Sequence, residues 1–204
     1  MTLDELLARP VLDAAHGLLG CRVAAGAVTL RLTEVEAYAG LGDDPASHAH
    51  RGLTPRNAVM FGPPGFAYVY FTYGMHWCLN VVTGRVGEAS AVLLRAGEVV
   101  EGLDVARSRR RGARLDRDLA RGPARLAQAL GVDRSADATP MLDGSGPILL
   151  LPPAAPVDAA AIAVGPRVGV NGGAERPWRF WLTGEPTVSP YRRHVPKRPS
   201  VPGA

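Results

Sequence analysis

The chain has 204 residues, 47% of them apolar and 21% charged, which suits one globular domain with a buried core. It carries a formal net charge of +4, two distant cysteines that make no CxxC motif or disulfide framework, and no apolar run long enough for a membrane-spanning helix. Of its 23 basic residues only Lys197, in the tail, is a lysine, which removes P-loop phosphate binding and leaves the body of the chain without a Schiff-base amine.

The opening run M-T-L-D-E-L-L-A-R-P has two acids and no basic segment, so no signal peptide is expected and a bacterial cytoplasmic location is the expectation. Residues 2–20 predict two short helices separated by Pro10, with Gly20 as the stop. From Val28 to Tyr38 the pattern changes to period two, with Val28, Leu30 and Leu32 on the core-facing parity. Glu34, Glu36 and Tyr38 continue that parity. Carboxylates on an apolar strand face are costly unless paired or used; the alternative is a bulge that re-aims them, or an end of the sheet.

Residues 39–65 form a long loop rich in Gly, Pro, His and Arg, a length that points to function. Three strands follow, at 67–73, 77–83 and 91–96, with Gly74 and Gly84 as turns, which predicts an antiparallel meander. Residues 97–121 are arginine-rich and read as a solvated, mobile helix or loop. A helix is expected over 123–130, with proline in its first turn and Gly131 as its stop. A last strand pair is expected near 167–170 and 178–183. The basic, proline-rich end is expected to be disordered.

Two constellations could carry chemistry. Glu36 and Tyr38, with His48, Tyr68, Tyr70 and Tyr73, fit a basic protein that stacks a nucleobase beside a carboxylate able to activate water. Asp43, Asp44, His48 and His50 fit a divalent-metal site, completed by Glu36 or His76, and hence a metal-dependent hydrolase.

The runs EVEAYAG, DDPASHAHRGLTPRNAVMFGPPGFAYVYFTYGMHWCLNVV and AVLLRAGEVVEG, then LARGPARLAQALGV and GPRVGV followed by RPWRFWLTG, resemble the alkyladenine (3-methyladenine) DNA glycosylase family. The resemblance covers about residues 10–193. It implies an α+β fold: one mixed domain over residues 1–193, built on a curved antiparallel sheet flanked by helices, with 194–204 as the tail. It also implies a monomeric, monofunctional enzyme that flips alkylated or deaminated purines out of double-stranded DNA and leaves an abasic site, with no metal, no organic cofactor and no membrane partner.

By the same resemblance Glu36 is the catalytic base, and Arg95 helps hold the catalytic water or a phosphate. Tyr38 and Tyr70 stack on the flipped base, His48 contacts it, and Asn80 lines the pocket. Tyr73 is the wedge that fills the gap in the DNA, and Arg51 and Arg56 belong to the DNA-binding surface. The stretch from Arg107 to Arg117 is denser in arginine than the family pattern requires.

Overall fold

The computed structural model describes residues 1–193; the tail expectation for 194–204 lies outside them. Thr2 and Glu5 form a reciprocal capping box that starts α1 (Leu3–Leu7), and Pro10 opens α2 (Val11–Leu18). β1 (Arg22–Ala25) and β2 (Val28–Tyr38) form a hairpin across Gly26, and β3 (Ala67–Thr72), β4 (His76–Val82) and β5 (Ala91–Glu101) form the expected meander. Then come α3 (Leu103–Arg109), α4 (Pro123–Leu130), β6 (Leu149–Leu151), β7 (Ile162–Gly165) and β8 (Arg179–Leu182).

All strand pairs are antiparallel, in the order β3-β4-β5-β2-β1-β6. β2 is long enough to serve two partners on one side. Its first half pairs with β1 and its second half, Glu34 to Glu36, pairs with β8, which carries β7 outside it. This fork curls the sheet. The result is a single mixed α+β domain, as the sequence predicts.

The apolar core lies on one face. Val69, Leu79, Val81, Val92 and Leu94 point into it and meet Leu126 and Leu130 of α4 and Leu18 of α2. α4 ends as expected, with Gly131 in the left-handed region at φ 74°.

The decisive irregularity lies between β2 and β5. Leu32 pairs with Gly97, Glu34 with Ala96 and Val35 with Leu94, so Thr33 is an extra residue on β2 and Arg95 an extra residue on β5. The extra residue on β2 reverses its parity. Leu30 and Leu32 face the core before it, and Val35 and Ala37 do so after it. Glu34 and Glu36 therefore do not continue the core parity; the bulge aims them at the opposite face.

Three further expectations are corrected. Residues 167–170 are not a strand, because Pro166 ends β7 and the Val168 N–H is taken by a side chain. Residues 97–101 extend β5 instead of joining a loop, held by Arg31 to Glu98 and Thr29 to Glu101 side-chain bonds. The arginines of α3 are also not simply solvated. Arg109 donates to the Ala129 carbonyl at 3.0 Å and Arg110 to the Leu119 carbonyl at 2.9 Å, so they satisfy backbone groups around α4. The short strand β1 does not show in the sequence pattern.

Gly97 sits beside the bulge, and a Cβ there would lie 2.7 Å from the Arg31 carbonyl oxygen. Gly97→Ala should push β5 away from β2, at a cost of about 1–3 kcal/mol. A thermal melt should show a midpoint lowered by several degrees; an unchanged midpoint would mean the close approach is not needed.

Candidate active site

The face opposite the core carries a second, smaller apolar cluster of Ala49, Met60, Tyr68, Val82, Ala89 and Ala91, which seats the loop of residues 39–65 over the sheet. Between loop and sheet lies a cavity of about 430 Å³. Alternate residues of four strands open into it: Glu36 and Tyr38 from β2, Tyr68 and Tyr70 from β3, Asn80 from β4 and Arg95 from β5. A period of two places successive candidates on one face.

Glu36 is fully buried at the cavity wall. One oxygen accepts the Val168 N–H at 2.8 Å, and the other accepts the Tyr38 hydroxyl at 2.9 Å. Burial, then the Glu36 charge, push the Tyr38 pKa well up, so its phenol stays protonated and remains a donor.

Beside it, Glu34 is also fully buried and is saturated with donors: Arg179 Nε at 2.6 Å, Ser189 N at 2.7 Å and the Ser189 hydroxyl at 2.9 Å. Arg95 Nε lies 2.8 Å from Glu34 and 3.6 Å from Glu36. Burial works to lower the Arg95 pKa, but the charges of Glu36 and Glu34 outweigh it and raise it, so Arg95 stays cationic. Only its Nε is hydrogen-bonded among the described residues, which leaves its two terminal nitrogens for the cavity.

The walls are aromatic. His48 meets Tyr70 edge-on at 4.5 Å between ring centroids, and its Nδ1 bonds the Tyr68 hydroxyl at 2.8 Å. Partial burial and the nearby Arg56 charge lower the His48 pKa, so at neutral pH the ring is uncharged. Asn80 is buried, and its Nδ2 donates to the Tyr68 carbonyl at 2.9 Å. Tyr73, 85% exposed, stands at the turn after β3 with φ 52°, rare for an aromatic residue. That backbone turns its side chain out of the sheet instead of packing it. Arg51 and Arg56 are exposed on the loop, with Arg56 over the Tyr70 ring.

The supposed metal cluster is taken apart by its own contacts. Asp44 is fully buried, and Arg167 grips both of its oxygens at 2.6 and 2.7 Å, while Ala39 N and Ala46 N occupy the same carboxylate. Asp43 is exposed, and His48 is turned to Tyr68. Among the described residues no group of three or more His, Cys, Asp or Glu could hold a metal ion. The metal-dependent hydrolase reading is thus overturned by donor geometry: Asp44 is an anchor.

Sequence reasoning missed that anchor. The buried Arg167 also donates to the Ala37 carbonyl at 3.0 Å, and its guanidinium stacks 4.6 Å from the Tyr38 ring and 5.2 Å from that of Trp178. It thereby ties the loop to the E-A-Y strand and to Val168. The available signal was a lone arginine inside the run GPRVGV.

Comparison with known proteins identifies the family. The family model described as methylpurine-DNA glycosylase matches residues 5–186. A protein from Streptomyces avermitilis, named "Putative 3-methyladenine DNA glycosylase", is 57% identical over 200 residues, covering 95% of this chain and 93% of its own length. Proteins of the same name from Nocardia farcinica and Frankia casuarinae are 54% identical (100% of this chain, 95% of theirs) and 55% identical (94% and 92%). The chain belongs to the methylpurine-DNA glycosylase family and is a DNA glycosylase.

Proposed function

We propose that the chain is a monofunctional, monomeric glycosylase acting on DNA in a bacterial cytoplasm, where it excises alkylated or deaminated purines of the 3-methyladenine, 7-methylguanine and hypoxanthine type. The observation that carries this reading is Glu36, a buried carboxylate fixed by Val168 N–H and the Tyr38 hydroxyl on the wall of an aromatic cavity. The names of its relatives support the substrate class.

In this mechanism the damaged nucleotide leaves the duplex and its base stacks between Tyr38 on one side and Tyr70 with His48 on the other. Electron-rich rings favour a cationic alkylated purine by ~0.5–2 kcal/mol. Glu36 orients a water and takes its proton as the water attacks C1′ through an oxocarbenium-like state. The terminal nitrogens of Arg95 help to hold that water or a phosphate. Asn80 narrows the pocket beside the stacked base. A cationic alkylated purine departs as the neutral base, a neutral lesion such as hypoxanthine departs after taking up a proton from the solvent, and an abasic site remains. Tyr73 occupies the gap in the stack, and Arg51 and Arg56 meet the backbone.

Glu36→Gln should bind damaged duplex as the parent does and lose ~10²-fold or more in single-turnover base release, the contribution of a general base. A near-parental rate would make Glu36 structural. Tyr73→Ala should lose most activity on a lesion in a well-stacked duplex and less on a mispaired or single-stranded one, because the wedge recovers ~1–3 kcal/mol of stacking. Equal losses on all substrates would remove Tyr73 from flipping. With Lys197 as the sole lysine, borohydride should trap no covalent adduct with abasic DNA, and strand breakage should wait for alkali; a trapped adduct would show an amine at work.

A further inference from the structure

The arginines that follow α3 build a second feature outside the active site. The turn between α3 and α4 encloses a concavity of about 450 Å³ lined by Arg107, Arg110, Arg111 and Arg114, with Asp116 as its only carboxylate. Asp116 is spent: Arg107 grips both of its oxygens at 2.9 Å and also reaches Asp104 at 3.0 Å. Arg110 is fixed by the Leu119 carbonyl and by Gln128 Oε1 at 2.7 Å, neither of which neutralises it. Partial burial and then the charge of Arg125 lower its pKa, the mark of a cation lacking a counter-charge. Arg111 and Arg114 are exposed and make no ion pair among the described residues; Arg111 Nε donates to the Ser108 carbonyl at 3.3 Å, which leaves its two terminal nitrogens. The hollow thus presents an uncompensated positive charge on a braced frame.

Its position adds the second argument. Leu119 lines the concavity and Pro123 lines the active-site cavity. Four residues of chain span at most ~14 Å. Phosphates of one DNA strand advance about 3.4 Å each along the helix axis, so that distance is about four base steps. A duplex with one nucleotide in the active-site cavity has backbone within such a distance.

We infer that this arginine-lined concavity binds a phosphate of the DNA backbone a few base steps from the flipped nucleotide, with Arg111 and Arg114 as its free donors. The inference rests on the glycosylase reading. It gives the arginine excess a role: planar guanidinium groups bond phosphate oxygens in pairs and add affinity without reading sequence.

The test is the double variant Arg111→Ala/Arg114→Ala, assayed by single-turnover excision of hypoxanthine from a duplex, with enzyme titrated at several salt concentrations. The saturating rate should match the parent. The half-saturating enzyme concentration should rise, and its log–log slope against salt should fall by about 1–2, near 0.9 for each phosphate that the variant no longer neutralises. Moving the lesion close to one end of the duplex should erase the difference between variant and parent, and the end at which this happens identifies the flank bound. An unchanged salt slope, or a deficit that persists with the lesion near either end, overturns the inference. Loss of hypoxanthine excision by the parent itself would instead count against the proposed substrate class.

Discussion

Two carboxylates, Glu34 and Glu36, are buried side by side in this molecule, and that can be tolerated only if each is compensated. Removing an ion from water costs several kcal/mol even after the protein relaxes. Arg95 and Arg179 supply two positive charges, and Ser189, Val168 and Tyr38 supply the remaining donors. The two glutamates are nevertheless treated differently. Glu34 takes the close contacts of both arginines, whereas Arg95 stops 3.6 Å short of Glu36. Glu34 thus keeps Arg95 from closing on Glu36, which stays buried at the cavity wall with only two neutral hydrogen-bond donors.

The bulge makes this arrangement possible. In a regular strand the parity of Val28, Leu30 and Leu32 would drive Glu34 and Glu36 into the apolar core. Thr33 is the extra residue that turns them to the other face, and it is itself buried and bonded to the Thr187 hydroxyl at 2.8 Å. On the partner strand Arg95 is the extra residue, so the irregularity that redirects the carboxylates also delivers the cation beside them. The close approach of Gly97 to Arg31 belongs to the same local geometry.

The loop over the cavity is fixed by a second buried pair. Breaking a pair such as Asp44–Arg167 typically costs ~3–5 kcal/mol, because the partner is left charged and buried. Arg167 lies between the Tyr38 and Trp178 rings and precedes Val168, which bonds Glu36. The position of the loop and one face of the Tyr38 ring therefore depend on one side chain, whose neighbour in the chain bonds the Glu36 carboxylate. Among the described arginines, Arg95, Arg167 and Arg179 are buried and paired, whereas Arg51 and Arg56 on the loop and Arg111 and Arg114 between α3 and α4 are left to solvent.

Local chemistry is readable in the sequence, and much of this fold is local. The helix from Pro123 to Gly131, the break at Pro10 and the meander of β3 to β5 follow from turn residues and periodicity over a few positions. The clustering of Tyr68, Tyr70 and Asn80 follows from alternation within the meander, whereas Glu36, Tyr38 and Arg95 join it only through the bulge between β2 and β5. That Tyr73, before Gly74, projects instead of packing over the sheet edge follows from the family resemblance and not from the turn alone. Tertiary structure alone decided the rest. A bulge is a property of two strands, so parity within β2 could not reveal it. Asp44 sits among His48 and His50 in sequence and reads as a metal ligand until Arg167, 123 residues away, takes both of its oxygens. Glu34 looks equivalent to Glu36 until Arg179 and Ser189 arrive from the far end of the chain. The sequence determines which residues can ionise, stack or turn; which charges neutralise one another depends on contacts between distant segments, because a buried charge is set by whatever lies within a few ångströms of it and not by its neighbours in the chain.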